Sequence, residues 1–415
     1  MLTFAALAFA NGLTTHVTIS MDALELLPDG DLRDFMTRPE LEDAIRNGTQ
    51  FPDGGYAVDD GYGEIAHWEP FQQHVRDWIL TEYDTPWDDD VSRLVAFNFG
   101  ESSHGMADQV HDALYMERAK VYDIDSDWES VSMDQAADVA LSAGRGGQPT
   151  PGRYLPTDVL VPRFSEIGHE VTADTLESGQ LATNVAVLWV AGAGQNPAAV
   201  EEWHDQFPWA SEHILDREVP GNPWDEAIVV SRYWQVLWAE MNPESAAAAV
   251  IAAEFEPVMY TFPRDGALGH VKDSTKVEAR VTVVFSRGLV SGLLSPQFFV
   301  VEDREGNTVE VGTWLFYGDG SHVVHLVPAR DWLPEMEYTV TVRPGVAFID
   351  GTTSTASFTF GFSTREPVDA VPAGSGEANP ECGCVSTGTG LSGVASVVWL
   401  AMIGAAVRFR NRRTG

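Results

Sequence analysis

Hydrophobic and polar positions change rhythm once along this chain. Between residue 11 and about residue 254 the apolar positions suit helices. Tyr233, Trp234, Leu237, Trp238 and Met241 fall at offsets that form a core-facing stripe. The run Leu181 to Val190 is apolar enough to predict an interior helix. From Glu256 to Thr364 the rhythm shortens to two. Val277, Ala279, Val281 and Val283 alternate with polar residues, and runs starting at His322, Tyr338 and Ser357 read as further strands. Glu305-Gly306-Asn307, Gly318-Asp319-Gly320 and Asp350-Gly351 supply the turns between them. Short strands at this spacing predict a β-sandwich over residues 255–366.

The two ends carry different signals. Residues 1–10 are apolar and close on Ala8-Phe9-Ala10, the pattern of a secretory cleavage site, though without a basic leading segment. A buried N-terminal strand is the other reading. Cleavage there would make Asn11 the new amino terminus. Residues 367–390 form a linker that opens on a Pro/Gly/Ser/Ala/Glu stretch and contains Cys382-Gly383-Cys384. Residues 391–407 are an uncharged apolar run of 17 residues, at the lower limit for a membrane-spanning helix. Arg408, Arg410, Arg412 and Arg413 in the tail 408–415 favour a cytoplasmic end. The expectation is a multidomain protein: an all-α domain over 11–254, the β-sandwich, and a C-terminal transmembrane helix. It would be secreted and held at the cell surface.

Composition narrows the chemistry. With 62 acidic against 25 basic residues the formal charge is −37, so no nucleic-acid partner is expected, because a phosphate backbone needs a basic track. The same charge suits divalent cations. Cys382 and Cys384 are the only cysteines, which excludes a disulfide framework or a cysteine zinc cage in the body of the protein.

The richest chemical run is Ser103 to Asp112. On a helix His104 and Asp108 stand one turn apart, with His111 and Asp112 a turn further along the same face. Imidazole beside carboxylate suits zinc, and such a face could hold more than one ion. The alternative is a solvated polar face, since His-x-x-x-Asp is a common spacing. His16 in Thr14-Thr15-His16, Asp53 in Phe51-Pro52-Asp53 and His67 in Gly63-Glu64-Ile65-Ala66-His67-Trp68 each have a bland reading too, as cap, turn-former and surface residue.

Taken in order, these pieces resemble the zinc-dependent phospholipase C family, and within it the catalytic domains of the glycosylphosphatidylinositol-specific phospholipase D branch. The residues that carry the likeness are Thr15-His16-Val17, Phe51-Pro52-Asp53, His67-Trp68-Glu69-Pro70-Phe71 and Phe97-Asn98-Phe99-Gly100-Glu101-Ser102-Ser103-His104. It is good from Leu13 to Gly147, weaker to 254, and absent beyond. The resemblance implies a helical domain whose cleft holds two or three zinc ions. Asn11, His16 and Asp108 would hold one ion, with Asp108 bridging to a second held by Asp53, His67 and His104. Asp53 would also be the catalytic base for water attacking a phosphodiester. The remaining ion is where the chain departs from the pattern: His111 stands three residues after Asp108, and Asp134 and Asp138 have the downstream spacing but no imidazole. Such a site would favour a harder metal, or none.

The segment after 255 resembles bacterial Ig-like surface modules through Pro263-Arg264-Asp265-Gly266-Ala267, Val283-Val284-Phe285-Ser286 and Tyr338-Thr339-Val340-Thr341-Val342. Its expected job is spacing or docking, with His322 and His325 as ordinary strand side chains. The order Cys-Gly-Cys, apolar helix, Arg-rich tail resembles myxobacterial C-terminal sorting signals. A surface-tethered phosphodiesterase acting on phospholipids or lipid-linked phosphodiesters is the leading reading. A non-catalytic surface protein with a degenerate metal site, and a zinc nuclease, are the alternatives.

Overall fold

The computed structural model describes residues 12–124, 131–146, 151–245, 250 and 253–366. The leader segment with Asn11, the linker with its two cysteines, the apolar run 391–407 and the basic tail lie outside the described residues. Among the described residues no helix is long and apolar enough to cross a membrane.

The helical region is built around the Asp89–Val110 helix. Asp88 caps it by accepting from the Val91 N–H at 2.9 Å, and Asp89 and Asp90 place negative charge on its positive end. From Leu94 to Val110 every side chain is buried, as expected of a helix enclosed on all faces. Gly100 permits that enclosure: a Cβ there would collide with the Ile45 carbonyl of the neighbouring Glu42–Gly48 helix. The Pro223–Met241 helix packs against the central helix and against Leu13–Leu26. Asn222 caps it, accepting from the N–H groups of Trp224 and Asp225 at 2.8 and 3.2 Å. Its stripe Tyr233, Trp234, Leu237, Trp238 and Met241 is buried, as the spacing predicts. The indole of Trp234 also donates to the Phe99 carbonyl at 2.8 Å, tying the two helices together.

The Ala173–Gly194 helix differs from expectation. It buries Leu176, Thr183, Val187 and Val190 but leaves Leu181, Val185 and Leu188 exposed. A uniformly apolar run carries no information about which side meets the core, so an interior position could not follow from it.

After residue 257 the chain forms eight strands: β1 Val258–Phe262, β2 Val281–Phe285, β3 Phe299–Asp303, β4 Thr308–Val309, β5 Val311–Leu315, β6 Val323–Pro328, β7 Glu337–Val342 and β8 Phe358–Ser363. They make two antiparallel sheets, ordered β1-β2-β6-β5 and β4-β3-β7-β8, with a core between them. The alternating run at Val277 is not one strand. Val277–Ala279 is a single 3₁₀ turn, and β2 follows with all five residues buried. Alternation fails in β2 because both of its faces are covered. Val281, Val283 and Phe285 point into the sandwich, while Val284 joins the core of the helical region. Strand β6 repeats the arrangement, with Val324 and Leu326 facing inward and Val323 facing the helices.

Two buried histidines make the sandwich acid-sensitive. Burial pushes His270 down to about 4, and burial reinforced by Arg280 and Arg118 pushes His325 down to about 3. The unfolded chain takes up protons that these imidazoles refuse, so their contribution is intact above the ordinary value of 6.5 and is lost as pH falls toward 4 and 3. At pH 4 His325 alone is expected to cost on the order of 3 kcal/mol. Urea midpoints at pH 7 and pH 4 check this. His325→Gln should lose less stability on acidification than the wild type, and equal losses would remove His325 as a cause.

Candidate metal centre

Four segments far apart in sequence bring five ligating side chains to one buried place. His16 comes from the Leu13–Leu26 helix and Asp53 from the first turn of Phe51–Ala57. His67 directly follows Tyr62–Ala66, and His104 and Asp108 lie one turn apart on the central helix. They fall into two triads, His16/His104/Asp108 and Asp53/His67/His104, in each of which the ligand atoms lie within 4.8 Å of one another. Asp108 spans both. Its Oδ1 is 3.0 Å from His16 Nε2, and its Oδ2 is 3.3 Å from His104 Nε2 and 3.6 Å from His67 Nε2. Asp53 Oδ1 stands 3.6 Å from His67 Nε2 and 3.7 Å from His104 Nε2.

The imidazoles are held in a defined tautomer. His67 Nδ1 donates to the Gly63 carbonyl at 2.6 Å, and His104 Nδ1 donates to the Thr49 carbonyl at 2.8 Å. A carbonyl can only accept, so in each neutral ring the Nε2 lone pair is the free one. Those two nitrogens face each other at 2.9 Å. Two lone pairs at that separation repel unless a proton or a metal ion lies between or beside them. In addition, both oxygens of Asp53, both oxygens of Asp108 and both ring nitrogens of His16 are buried without a hydrogen bond. Buried polar atoms in such density call for an ion. Imidazoles that donate their outer N–H to a backbone carbonyl are the usual support of a metal ligand. The residues therefore fit two divalent ions, and the mixed N/O donor set suits zinc.

The buried groups also act on one another. Burial pushes the Asp53 carboxyl up, with His104 and His67 pulling the other way. Burial also acts to raise Asp108, but His16 and His104 outweigh it and hold this carboxylate well below its usual range. The His67 imidazole is lowered by burial and raised further by Asp53 and Asp108, while His104 is held down by burial and by His16, whose ring stacks on it at 3.8 Å.

Supporting residues escape sequence reading because their role depends on neighbours. Gln72 Nε2 donates to the carbonyls of Ala66 and His67 at 3.0 and 3.1 Å, holding the turn that carries His67. Gly105 lets that turn approach, since a Cβ would strike the His67 carbonyl. Ser20 and Ser103 share a hydrogen bond at 2.8 Å, and Ser20 reaches Thr49 at 2.9 Å, joining the helices of His16 and His104 to the loop that orients His104. Glu101, one turn before His104, is fully buried and pushed up to about 8 by burial, so it stays protonated at neutral pH. Position next to the quoted motifs is the one signal the sequence gives for Gln72 and Glu101.

The remaining expected ligands are placed elsewhere. At His111 the central helix passes into a π-helical segment, His111–Met116, and the changed register turns these residues off the ligand face. His111 Nδ1 pairs with Glu226 at 3.2 Å, with Asp134 3.9 Å from its other nitrogen. Asp138 accepts from the Thr14 and Thr15 N–H groups at 3.2 and 2.9 Å and from both hydroxyls. It anchors the start of the helix that carries His16. Among the described residues His111, Asp134 and Asp138 are not gathered into a third ligand group. His74, His169 and His213 pair with Glu166, Asp60 and Asp216.

The sandwich takes part in this neighbourhood. Glu69, two residues past His67, accepts from the Gly288 N–H at 2.7 Å and stands 3.2 Å from His322 Nε2. Gln109 Oε1 accepts from the His322 N–H and the Ser321 hydroxyl at 2.7 and 3.0 Å. His322 is thus a buried interface residue rather than an ordinary strand side chain.

Comparison with known proteins gives two partial matches. Residues 257–364 match the bacterial Ig-like domain family. A stretch of 116 residues is 37% identical to the phosphatidylinositol-glycan-specific phospholipase D of Rattus norvegicus, covering 26% of this chain and 14% of that protein. The Homo sapiens protein of the same name is 37% identical over 117 residues, again 26% and 14%, and that of Dictyostelium discoideum is 33% identical over 100 residues, 23% and 10%. The chain thus spans only a small part of the curated relatives it matches. The crystal structure of the S-layer protein rSbsC aligns at 10% identity and a TM-score of 0.21, over 76% of this chain and 46% of that one, which is too weak to bear on the fold.

Proposed function

We propose that this protein is a metal-dependent phosphodiesterase of the phospholipase kind, exported and held at a membrane, that hydrolyses phospholipids or lipid-linked phosphodiesters. The observation that carries the reading is the buried pair of triads joined by Asp108, with His67 and His104 turned nitrogen to nitrogen. Partial similarity to phospholipases D supplies the reaction class. Two zinc ions, when bound, would neutralise phosphoryl oxygens and acidify water. His16, His67, His104 and Asp108 serve as ligands, and their supporting hydrogen bonds fix where substrate phosphorus can sit. Asp53, with both oxygens lacking hydrogen-bond donors, is the group that takes the proton of the attacking water. As the water oxygen bonds to phosphorus the P–O ester bond breaks, and the departing alkoxide takes that proton, or one from solvent, to leave as the alcohol. Which of the two ester bonds breaks depends on how the lipid lies across the cluster.

One observation favours a second reading, a non-catalytic surface protein with two structural ions: among the described residues no third ligand group is assembled. A nuclease is disfavoured by the charge of −37. The test uses the full chain purified with its metal. It should hold two zinc ions and hydrolyse phosphatidylcholine or phosphatidylinositol but not single-stranded DNA. A chelator should abolish turnover and added zinc restore it. Bound metal without hydrolysis of any of these would replace the first reading by the second.

A further inference from the structure

One loop of the sandwich meets both chain segments that lead away from His67 and Asp108. It is the connection between β5 and β6, residues 316–322. Past His67, the Trp68 ring packs on Tyr317 with centroids 5.0 Å apart, and Glu69 stands 3.2 Å from His322 Nε2. A Cβ on Gly320 would touch the next residue, Pro70, at 3.5 Å. Past Asp108, Gln109 accepts from the His322 N–H and the Ser321 hydroxyl at 2.7 and 3.0 Å, and Asp112 accepts from the Tyr317 hydroxyl. Three consecutive residues after one ligand and the first residue after another are therefore gripped from the same place.

The loop is held in one shape. Tyr317 has φ of 69°, a left-handed value that an aromatic residue keeps only where its surroundings enforce it. The Leu289 N–H donates to the Ser321 carbonyl and the Gly320 N–H to the Leu289 carbonyl, each at 2.9 Å. Asp319 accepts from the Ser291 N–H and hydroxyl, both at 2.6 Å. His322 is fixed at its other nitrogen too, since Nδ1 donates to the Phe285 carbonyl at 3.0 Å. Glu69 opens the helix that follows His67, and it takes a further sandwich donor, the Gly288 N–H, at 2.7 Å. The Tyr233 hydroxyl of the helical region reaches Glu69 at 3.5 Å, a longer contact.

Support for the two triads is correspondingly unequal. His16 is fixed from within the helical region, where Asp138 anchors Thr14 and Thr15, and Ser20 bonds Ser103 and Thr49. His67 sits in a turn between two helices. Gln72 braces that turn from inside the helical region, and the sandwich loop holds the residues that leave it.

We infer that the β5–β6 loop braces the Asp53/His67/His104 triad, with His322 as a positioning residue that ties the His67 turn to the central helix at Gln109. An ion held by that triad depends on the sandwich, whereas one held by His16, His104 and Asp108 does not. The Ig-like module is then a part of the metal centre and more than a spacer. This inference rests on the two-ion part of the reading above and not on hydrolysis.

The test measures zinc affinity of the full chain by chelator competition in two backgrounds. His16→Ala keeps the Asp53/His67/His104 triad, and His67→Ala keeps the other. His322→Asn preserves a donor for the Phe285 carbonyl but is too short to reach Glu69. It should weaken zinc binding in the first background by about tenfold, the lower end of what outer-shell partners of metal ligands contribute. In the second background it should leave affinity unchanged. His322→Gln, whose longer amide regains Glu69, should restore the loss. With cobalt in place of zinc, the visible absorption should shift with His322→Asn in the first background alone. Glu69→Gln, which keeps the shape of the seam, should give the same selective loss and serves should the asparagine variant melt early in chelator. Equal losses in both backgrounds, or none in the first, would overturn the brace while leaving the ions in place. A wild-type chain that binds no zinc would end the ion reading together with it.

Discussion

Asp108→Asn is expected to empty both ion positions at once. The carboxylate puts one oxygen against His16 and the other against His104 and His67, so each oxygen serves a different triad. An amide keeps the shape but offers one acceptor and a donor, and the donor hydrogens repel a cation. Substitutions in the outer shell of metal sites already lower affinity or activity by about 10–100-fold, and losing a bridging ligand should exceed that. Elemental analysis should fall from two metals per chain to less than one. The rise in melting temperature that added zinc gives the wild type should disappear, since a ligand stabilises only the state that binds it. His16→Ala is the control, expected to lose one ion and retain the other. An Asn variant that kept two ions and full turnover would show that Asp108 bridges nothing.

Trp234→Ala should be the most damaging core substitution. The side chain is fully buried and its indole N–H is bonded to Phe99 in the middle of the central helix. Truncation removes the packed volume and the second hydrogen bond to that carbonyl, which keeps its own helical donor. The expected cost is about 3–5 kcal/mol from the cavity, and roughly 1 kcal/mol more from the lost hydrogen bond. Trp234→Phe separates the terms by keeping most of the volume. Because the same helix carries His104 and Asp108, the alanine variant should also bind zinc more weakly. Urea denaturation with and without zinc measures both effects. A loss below about 1 kcal/mol would mean the helix is anchored elsewhere.

The five residues of the candidate cluster were legible because their chemistry is local. His104 and Asp108 share a helical turn, and Asp53 and His67 sit in short motifs whose order repeats a known arrangement. The third group was not legible, for reasons that lie outside the motifs. Spacing predicts one face for residues 104 to 112, but the π-helical segment at His111 alters the register, and no periodicity announces it. Asp138 has the spacing of a ligand yet spends its acceptors on Thr14 and Thr15, a partnership fixed only when two distant helices meet. In the sandwich, the two-residue rhythm found β7 but blurred β2, because a strand covered on both sides stops alternating.

Val284, Phe316 and Val323 belong to the same packed cluster as Met106 and Trp234. Ig-like modules are ordinarily beads on a string, free to be shuffled, duplicated or trimmed. Here the seam is interior, and an excision at residue 254 would uncover aliphatic surface on both fragments. The two halves are therefore bound to be inherited, expressed and engineered as one piece. Grafting the helical half onto a different carrier would require redesigning the face it presents.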